Sequence, residues 1–296
     1  MTPSIRRRIF VVGVPRSGTT LVQSLLAAHD EVASWTESHF FDRLYRPVPG
    51  LPSRAILVGD PDAAVRDFLE TNEALRSGDR PAQQLDDLLP GWRRLPLVRP
   101  LQGDAVARRL LGVFDELARR QNRPIWVEKT PAHLRSLPFL ERVAQDGPDL
   151  RFVHVVRGGL ETVASLHKAS KHWQRAYDVD ECVRRWNREV AVSRARIGSP
   201  GDHFVVYEDL TAHPERATRR LFDALDLSWQ AGVLDCYGDS LGRVVSPSEA
   251  AWKGGSERGI RPSATSKQVL TPEQRRRVDA TLQHDLYRDL CRRVLP

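Results

Sequence analysis

A loop near the amino terminus carries the features of a phosphate-binding site. Residues 13–20 read Gly-Val-Pro-Arg-Ser-Gly-Thr-Thr and follow an apolar stretch. They match the pattern G-x-x-x-x-G-K-[ST], whose backbone amides surround phosphate groups, with Gly13 and Gly18 as its glycines and Thr20 as its hydroxyl. The exception is Thr19, which stands where the pattern has lysine. The loop and the helix that follows it still predict an anion site.

Two other side chains of the loop supply charge and a further donor. Arg16 is the only cation within it, and Ser17 adds a hydroxyl. In nucleoside triphosphatases the lysine contacts the β- and γ-phosphates, and an acidic residue helps to hold magnesium. A loop without that lysine predicts a site for one terminal phosphate that needs no metal.

Two further predicted strands are followed by polar groups. Arg157 ends one apolar stretch, with Ser165 eight residues later, and Lys129 ends another, with His133 four residues later. An arginine can bind a phosphate through its forked guanidinium, and a lysine can place a point charge on a leaving-group oxygen. Ligands of open α/β sheets bind at the carboxyl ends of the strands, so these groups are expected near the loop. Spacing alone also fits a surface arginine and a serine on a helix face.

A kinase is an alternative that the residues leave open. The predicted strand at 203–210 ends in Glu208 and Asp209, the only acids that could serve magnesium. In a magnesium-dependent P-loop kinase, Thr20 and Asp209 would hold the metal. A non-catalytic nucleotide-binding module is a second alternative.

The elements that must position these groups alternate along the chain. Strands are predicted at 9–12, 31–35, 124–127, 150–156 and 203–210, and helices at 19–28, 63–75, 105–120, 160–170, 179–197, 213–227 and from Pro272 onward after a cap at Thr271. Continuous apolar runs such as Ile9–Val12 are typical of buried parallel strands. The alternation predicts an α/β fold, a P-loop-like parallel sheet flanked by helices. We expect a single domain over residues 1–296 with a helical or irregular insertion.

The expected insertion spans residues 45–100. It contains eight prolines and little periodicity outside the short predicted helix. Long loops of this kind often form lids or binding loops. We therefore expect residues 45–100 to shape the site of a second substrate.

Composition narrows the class of protein. The chain has 296 residues, a net charge of +7 and a pI near 9.7, which suits an anionic ligand. No stretch combines dense basic residues with regular aromatics, so we expect no nucleic acid as partner. The three cysteines fit neither a metal site nor a disulfide framework, which favours a reducing compartment. The apolar run Ile9–Val12 is too short for a signal peptide or a membrane span, so we expect a soluble, cytoplasmic protein.

Two motifs together resemble one known family, the sulfotransferases that use 3′-phosphoadenosine-5′-phosphosulfate (PAPS) and release its product PAP. The segment "GVPRSGTT" resembles the family's 5′-phosphosulfate loop, and "VVRGGLETVASL" resembles its 3′-phosphate segment. The resemblance implies that Arg16, Ser17, Gly18, Thr19 and Thr20 bind the 5′ end of PAPS. It also implies that Arg157 and Ser165 bind the 3′-phosphate, without a metal.

Two further segments resemble particular branches of that family. The segment "WTESHFFDRL" is similar to the one that carries the catalytic glutamate of the Golgi-type glycan and tyrosylprotein sulfotransferases, which implies that Glu37 is the general base. The segment "VEKTPAHL" is similar to the one whose lysine assists the leaving group, here Lys129. His133 is a second candidate base or a group that orients the acceptor, and His39 is a third candidate. The implied reaction is in-line sulfuryl transfer to an acceptor hydroxyl of a small metabolite, a sugar or lipid, or a peptidyl tyrosine.

The remaining cofactor contacts are expected from two later segments. The segment "VVYEDLTAHPERATRRLFDALDL" resembles the tyrosylprotein and bacterial relatives and contributes Tyr207. The stretch "WKGGSERGIRPSATSK" stands where the family closes a basic lid over the cofactor; its candidates are Lys253, Arg258, Arg261 and Lys267. The resemblance covers most of residues 8–42, 124–170, 203–227 and, weakly, 252–272. The loop differs from that of the cytosolic aryl and steroid branch, which has lysine where Arg16 stands.

Overall fold

A computed structural model describes residues 3–74, 103–246, 249 and 259–295 of the chain. Its centre is a five-stranded parallel sheet with the strand order β2-β5-β1-β6-β7. The strands are β1 (Arg7–Gly13), β2 (Val32–Ser34), β5 (Ile125–Lys129), β6 (Asp149–Val156) and β7 (Asp202–Val206), and a separate antiparallel hairpin is formed by β3 (Tyr45–Val48) and β4 (Leu51–Leu57). The predicted α/β fold with a parallel sheet flanked by helices is confirmed.

Helices cover both faces of this sheet. In chain order they are α1 (Thr19–Ala27), α2 (Phe40–Arg43), α3 (Pro61–Ala74), α4 (Gly103–Arg120), α5 (Leu137–Ala144), α6 (Gly159–Ser170), α7 (Val179–Ala195), α8 (Tyr207–Ala212), α9 (Pro214–Ala224), α10 (Val233–Val244), α11 (Ser266–Val269), α12 (Pro272–Thr281) and α13 (His284–Val294), with a 3₁₀ helix at Pro131–Arg135. None of the helices in the described ranges is long and apolar enough to cross a membrane.

The central strand β1 shows why the sequence reads as a continuous apolar run. Phe10 and Val12 point into one core with Trp126, whereas Ile9 and Val11 point into a second core on the opposite face. All four β1 residues are fully buried. A strand covered on both faces must be apolar at every position, and the alternation of its side chains supplies both cores.

Two elements differ from the sequence prediction near the carboxyl end. The strand predicted to reach residue 210 ends at Val206, and Tyr207 begins α8. Acidic residues in a first helical turn are favoured by the helix dipole, which suits Glu208 and Asp209 there. The predicted last helix is capped by Thr271 as expected but is two helices, α12 and α13.

The described part of residues 45–100 consists of the β3–β4 hairpin and α3. The predicted helix at 63–75 corresponds to α3, whereas the hairpin was not predicted. Residues 75–100 lie outside the described residues. The role of residues 45–100 in shaping an acceptor site stays a prediction.

Candidate anion-binding and catalytic site

The loop between β1 and α1 lies at the carboxyl edge of the sheet, as predicted, and two glycines fix its path. Gly13 has φ +147°, and a Cβ there would lie 2.3 Å from the carbonyl oxygen of Val155. Gly18 has φ +102° and caps α1, and a Cβ there would lie 2.5 Å from the ring of Tyr207. Only glycine suits both positions, because each combines a left-handed φ with a close neighbour. The first amides of α1, free of intrahelical partners, are therefore presented beside Tyr207.

Arg16 connects this loop to the segment after β6. Its backbone has φ +75°, an uncommon conformation for a residue with a side chain. Its Nε donates a hydrogen bond to Ser165 Oγ at 3.2 Å, and its carbonyl oxygen accepts one from Arg157 Nη1 at 3.2 Å. Strained backbone of this kind persists where surrounding contacts hold it and is concentrated at functional sites. The structure thus brings Arg16 into contact with Arg157 and with Ser165, which lies 149 positions later in the sequence.

Arg157 is held by three further groups besides the carbonyl oxygen of Arg16. Its side chain lies over the ring of Tyr207, with Cζ 4.2 Å from the ring centre, and Nη2 donates to the carbonyl oxygen of Ser263 at 3.0 Å. Trp186 Nε1 donates to the carbonyl oxygen of Arg157 at 2.9 Å. Arg157 is 5% exposed, and its Nε has no hydrogen-bond partner among the described residues. A buried charged donor without a partner is costly, so it marks a place for an anionic acceptor.

The charges around Arg16 favour the same kind of ligand. Burial lowers the pKa of Arg16 and the positive charge of Arg157 lowers it further, whereas Glu37 opposes both. Two guanidinium groups that repel each other are stabilised by an anion between them. Together with the helix amides, they fit a phosphate-bearing ligand.

The hydroxyl side chains of the loop do different things. Ser17 Oγ donates to the carbonyl oxygen of Val155 at 2.9 Å, and Ser17 N donates to that of Val14 at 3.1 Å. Ser17 therefore holds the loop against β6 in this structure. Thr19 is 3% exposed and Thr20 is half-buried at the start of α1.

Glu37 and Lys129 are brought together by two paired strands. Lys129 is the last residue of β5 and Glu37 follows β2, the strand paired with β5. Lys129 Nζ donates a short hydrogen bond to Glu37 Oε1. The Lys129 side chain is fully buried, whereas that of Glu37 is 12% exposed. The candidate base and the candidate leaving-group cation therefore form one ion pair within the field of Arg16.

His133 lies beneath this pair and is fully buried. Its Nδ1 is 2.9 Å from Glu128 Oε2, and its Nε2 is 3.4 Å from Asp42 Oδ1. Burial alone would lower the pKa of His133, but the charge of Glu128 and the hydrogen bond with Asp42 raise it to about 9. A protonated ring closed off from solvent is not placed to accept a proton from an acceptor hydroxyl.

His39 lies beside Glu37. Its Nε2 is 3.4 Å from Glu37 Oε2, and its Nδ1 is 3.3 Å from Asp42 Oδ2. It has φ +55° and precedes α2. Of the three candidate bases, Glu37 and His39 therefore share one location and His133 has another.

The segment at 259–266 crosses the Arg157 end of the site. The carbonyl oxygen of Arg261 accepts from Tyr207 Oη at 3.2 Å, while the Arg261 and Lys267 side chains are exposed. Glu161 of α6 accepts from the backbone amides of Thr265 and Ser266 at 2.6 and 3.1 Å. The segment is held mainly through its backbone, and its role as a lid over the cofactor stays a prediction. Lys253 and Arg258 lie outside the described residues.

The acidic residues after β7 are engaged elsewhere. Asp209 forms ion pairs with Arg216 and Arg220 at 2.5 and 2.9 Å. Glu208 accepts from Gly158 N at 2.9 Å and from Tyr287 Oη at 2.7 Å. No group of three or more potential metal ligands occurs within the described part of the chain. Asp209 thus forms ion pairs within the fold, and the alternative of a kinase with Asp209 at the metal gains no support from this geometry.

Several residues of the site were not found from the sequence. Glu128, Ser38 and Asp42 surround the Glu37–Lys129 pair, and Glu161 and Tyr287 support the Arg157 end. Glu128 could have been singled out because it directly precedes Lys129 at the end of a strand. The others contact backbone groups or partners distant in sequence, for which one sequence gives no signal.

Comparison with known proteins identifies the relatives of this chain. A family profile described as "Sulfotransferase family" matches residues 8–231. "Protein-tyrosine sulfotransferase A" of Caenorhabditis elegans is 24% identical over 245 residues, which are 80% of this chain and 54% of that protein. "Protein-tyrosine sulfotransferase 2" of Gallus gallus is 27% identical over 232 residues, 76% of this chain and 53% of that protein. The chain thus spans about half the length of these curated relatives.

A solved structure shares the fold. The sulfotransferase domain from the curacin biosynthetic pathway superposes with a TM-score of 0.55 at 16% identity, covering 94% of this chain and 96% of that domain. At this identity the likeness concerns the arrangement of strands and helices alone.

Proposed function

Because this chain belongs to the sulfotransferase family, we propose that it transfers a sulfuryl group from PAPS to an acceptor hydroxyl. The observation that carries the proposal is the position of Arg16. It contacts Ser165 and Arg157, and the charge of Glu37 acts on it. Arg16 is therefore close both to the side chains that suit a nucleotide and to the carboxylate that suits proton removal.

The residues present fit PAPS. The amides at the start of α1 suit the 5′-phosphate. The Nε of Arg157, which has no hydrogen-bond partner in the described part of the chain, suits the 3′-phosphate together with Ser165. Tyr207, beneath Arg157, would hold that guanidinium in place. When bound, PAPS supplies a sulfuryl group activated by its bond to a phosphate oxygen. A mouse sulfotransferase described as complexed with PAP has the same fold at a TM-score of 0.50 and 13% identity.

Three side chains have chemical roles in the proposal. Glu37 removes the proton of the acceptor hydroxyl, and its 12% exposure gives the acceptor access to it. Lys129 and Arg16 would supply positive charge to the phosphate group that PAPS leaves behind. Electrostatic stabilisation by a well-placed donor is often worth about 3–4 kcal/mol. Lys129 is bound to Glu37 here, so it must exchange that contact for one with the leaving group.

The acceptor is a hydroxyl compound, and a tyrosyl side chain is the first candidate. The support is the name of the curated relatives, protein-tyrosine sulfotransferases, at 24–27% identity. A cytoplasmic location stays a prediction; it agrees with three cysteines that are free thiols in the structure.

The test is a transfer assay with radiolabelled PAPS and a panel of acceptors. The panel contains a tyrosine peptide, simple phenols and sugars, and PAP release is followed in parallel. Glu37→Gln should lower kcat by about 10²–10⁴-fold, as expected for loss of a general base, while PAP affinity measured by calorimetry is retained. Glu215→Gln, which removes an exposed charge of α9, is the matched control and should behave as wild type.

Three results would contradict the proposal. Retained turnover in Glu37→Gln combined with its loss in His133→Ala would show that the base is wrong. Binding of PAP without transfer to any acceptor would indicate a non-catalytic nucleotide-binding module. Magnesium-dependent turnover of ATP would indicate a kinase.

A further inference from the structure

We propose that Glu128, His133 and Asp42 act together as positioning residues that hold Glu37 against Lys129. We call these three residues the clamp. The inference rests on the proposed function, because the pair that the clamp positions is the proposed catalytic pair. None of the three is expected to touch the acceptor or PAPS.

Glu128 of the clamp and its neighbour Lys129, both in β5, bind two neighbouring residues of the loop after β2, Ser38 and Glu37. Lys129 binds Glu37, and Glu128 Oε1 accepts from both Ser38 Oγ at 2.8 Å and Ser38 N at 3.3 Å. Successive side chains of a strand point to opposite faces, so the two contacts hold the loop from both sides of β5. A shift of Ser38 would therefore move Glu37 relative to Lys129. Thr130 Oγ1 also donates to Glu128 Oε1, at 2.6 Å, which fixes that carboxylate.

His133 extends the contact from Glu128 to α2. Nδ1 faces Glu128 Oε2 at 2.9 Å, and Nε2 faces Asp42 Oδ1 at 3.4 Å. The Phe41 amide lies 3.1 Å from the same Nε2, but it can donate there only to a neutral ring. Two carboxylates face the ring, Glu128 at Nδ1 and Asp42 at Nε2, and against one amide they favour its protonated form. Its positive charge then joins β5 to α2.

The contacts close a ring that returns to Glu37. Asp42 Oδ2 lies 3.3 Å from His39 Nδ1, and His39 Nε2 lies 3.4 Å from Glu37 Oε2. Glu37 Oε2 thus faces a histidine that Asp42 contacts, while Glu128 holds Ser38, the residue next to Glu37 in the chain. Positioning of this kind matters because a reacting group displaced by about 1 Å can lose about 10²-fold in rate.

Burial makes the clamp rigid. His133 is fully buried and Glu128 is 2% exposed. The rings of Phe10 and Phe41 lie edge-on to the imidazole, with ring centres 5.9 and 5.3 Å away. Without water to replace a lost partner, each contact of a buried polar network depends on the others.

The test compares two buried histidines. In His133→Asn the amide nitrogen replaces Nδ1 and can still donate to Glu128, but the contact with Asp42 is lost. We expect kcat to fall about 10–100-fold with KM for PAPS changed less than about 3-fold, because the nucleotide site is intact. His154→Asn is the matched control: His154 is also fully buried, but its nitrogens lie 3.2 Å from Ser193 and Asp202 on other elements. It should lose stability and retain kcat.

A pH profile separates positioning from general loss of structure. The charged groups that face His133 are Glu128 from β5 and Asp42 from α2. In wild type, kcat should fall as pH rises past about 9, where the ring loses its proton. Glu128→Gln removes one carboxylate, so the fall should move to lower pH, while Glu128→Asp should retain part of the wild-type profile.

The inference and the proposed function fail in different ways. Absence of transfer by wild type would overturn the proposed function. Transfer by wild type with kcat and pH profile unchanged in His133→Asn and Glu128→Gln would overturn the clamp alone. Should His133→Asn not fold, the pH profiles of wild type and Glu128→Gln decide. One measurement needs no activity: the thermodynamic coupling between Glu37 and Lys129 should be smaller in Glu128→Gln, and an unchanged coupling would also overturn the clamp.

Discussion

The ion pair between Glu37 and Lys129 allows a prediction about stability that does not depend on the acceptor. The variants are Glu37→Gln, Lys129→Met and the double variant. Each single change removes one charge and leaves the other buried, whereas the double change removes both. The sum of the two single losses of stability should therefore exceed the loss in the double variant.

The expected size follows from burial. Removing one partner of a buried ion pair costs about 3–5 kcal/mol. Glu37 is 12% exposed, and a glutamine oxygen can still accept from Lys129 Nζ, so we expect about 3 kcal/mol for Glu37→Gln. Lys129→Met leaves Glu37 with His39 as a neighbour, so its cost should be no larger. The coupling free energy between the two positions should be about 2 kcal/mol, within the range measured for contacting residues.

The assay is urea unfolding of the four proteins, with and without PAP. In the nucleotide-free proteins the coupling should have its full value. With PAP bound it should shrink, because Lys129 then gains a phosphate as partner and depends less on Glu37. PAP affinity of Glu37→Gln should be equal to or higher than that of wild type, since the carboxylate no longer competes for Lys129.

The result that would refute this reasoning is a coupling below about 0.5 kcal/mol in the nucleotide-free protein, which is within the limit of additivity. The control is the ion pair of Asp180 and Arg277, in which Asp180 Oδ1 lies 3.0 Å from Arg277 Nη2. The two side chains are 59% and 61% exposed. The corresponding Asp180→Asn and Arg277→Met variants should show no measurable coupling, because exposed pairs contribute little.

Two further predictions concern Arg157 and His133. Arg157→Ala should weaken PAP binding by about 10²-fold, the value of one or two charge-assisted hydrogen bonds, and should weaken binding of adenosine 5′-phosphate less. Calorimetry measures both affinities. Equal losses for the two ligands would remove the assignment of Arg157 to the 3′-phosphate. Because the folded protein raises the pKa of His133 to about 9, its protonation contributes stability that is complete below about pH 6.5 and is lost as pH rises through about 9. Unfolding free energies measured from pH 6 to pH 10 should show this decline in wild type and not in His133→Asn; a parallel decline in both would contradict it.

The sequence predicted the fold because its main signals are local. The apolar run of β1, the glycines of the loop and the cap at Thr271 each specify local structure that the fold retains. The boundary after β7 was misplaced because Tyr207 has high strand propensity, whereas its place under Arg157 at the start of α8 depends on tertiary contacts.

The site was predicted in part for a similar reason. Arg16, Arg157 and Ser165 were found because they lie in two motifs, and the structure brings them into contact. The pairing of Glu37 with Lys129 was not predicted, because the two residues are 92 positions apart and meet only through the pairing of β2 with β5. The contact of Arg157 with Ser263 uses the backbone carbonyl oxygen of Ser263. Because every residue has such an oxygen, the sequence could not predict this contact.

The contact of Glu208 with Gly158 and Tyr287 has a consequence for how relatives of this chain can diverge. Gly158 directly follows Arg157, and Tyr287 belongs to α13, which lies after the region matched by the family profile. The last helix therefore supports the loop that carries Arg157 from outside the shared region. Two proteins identical over residues 8–231 can then differ in nucleotide affinity through their carboxyl-terminal helices alone, which leaves that affinity open to selection without any change in the phosphate-binding motifs.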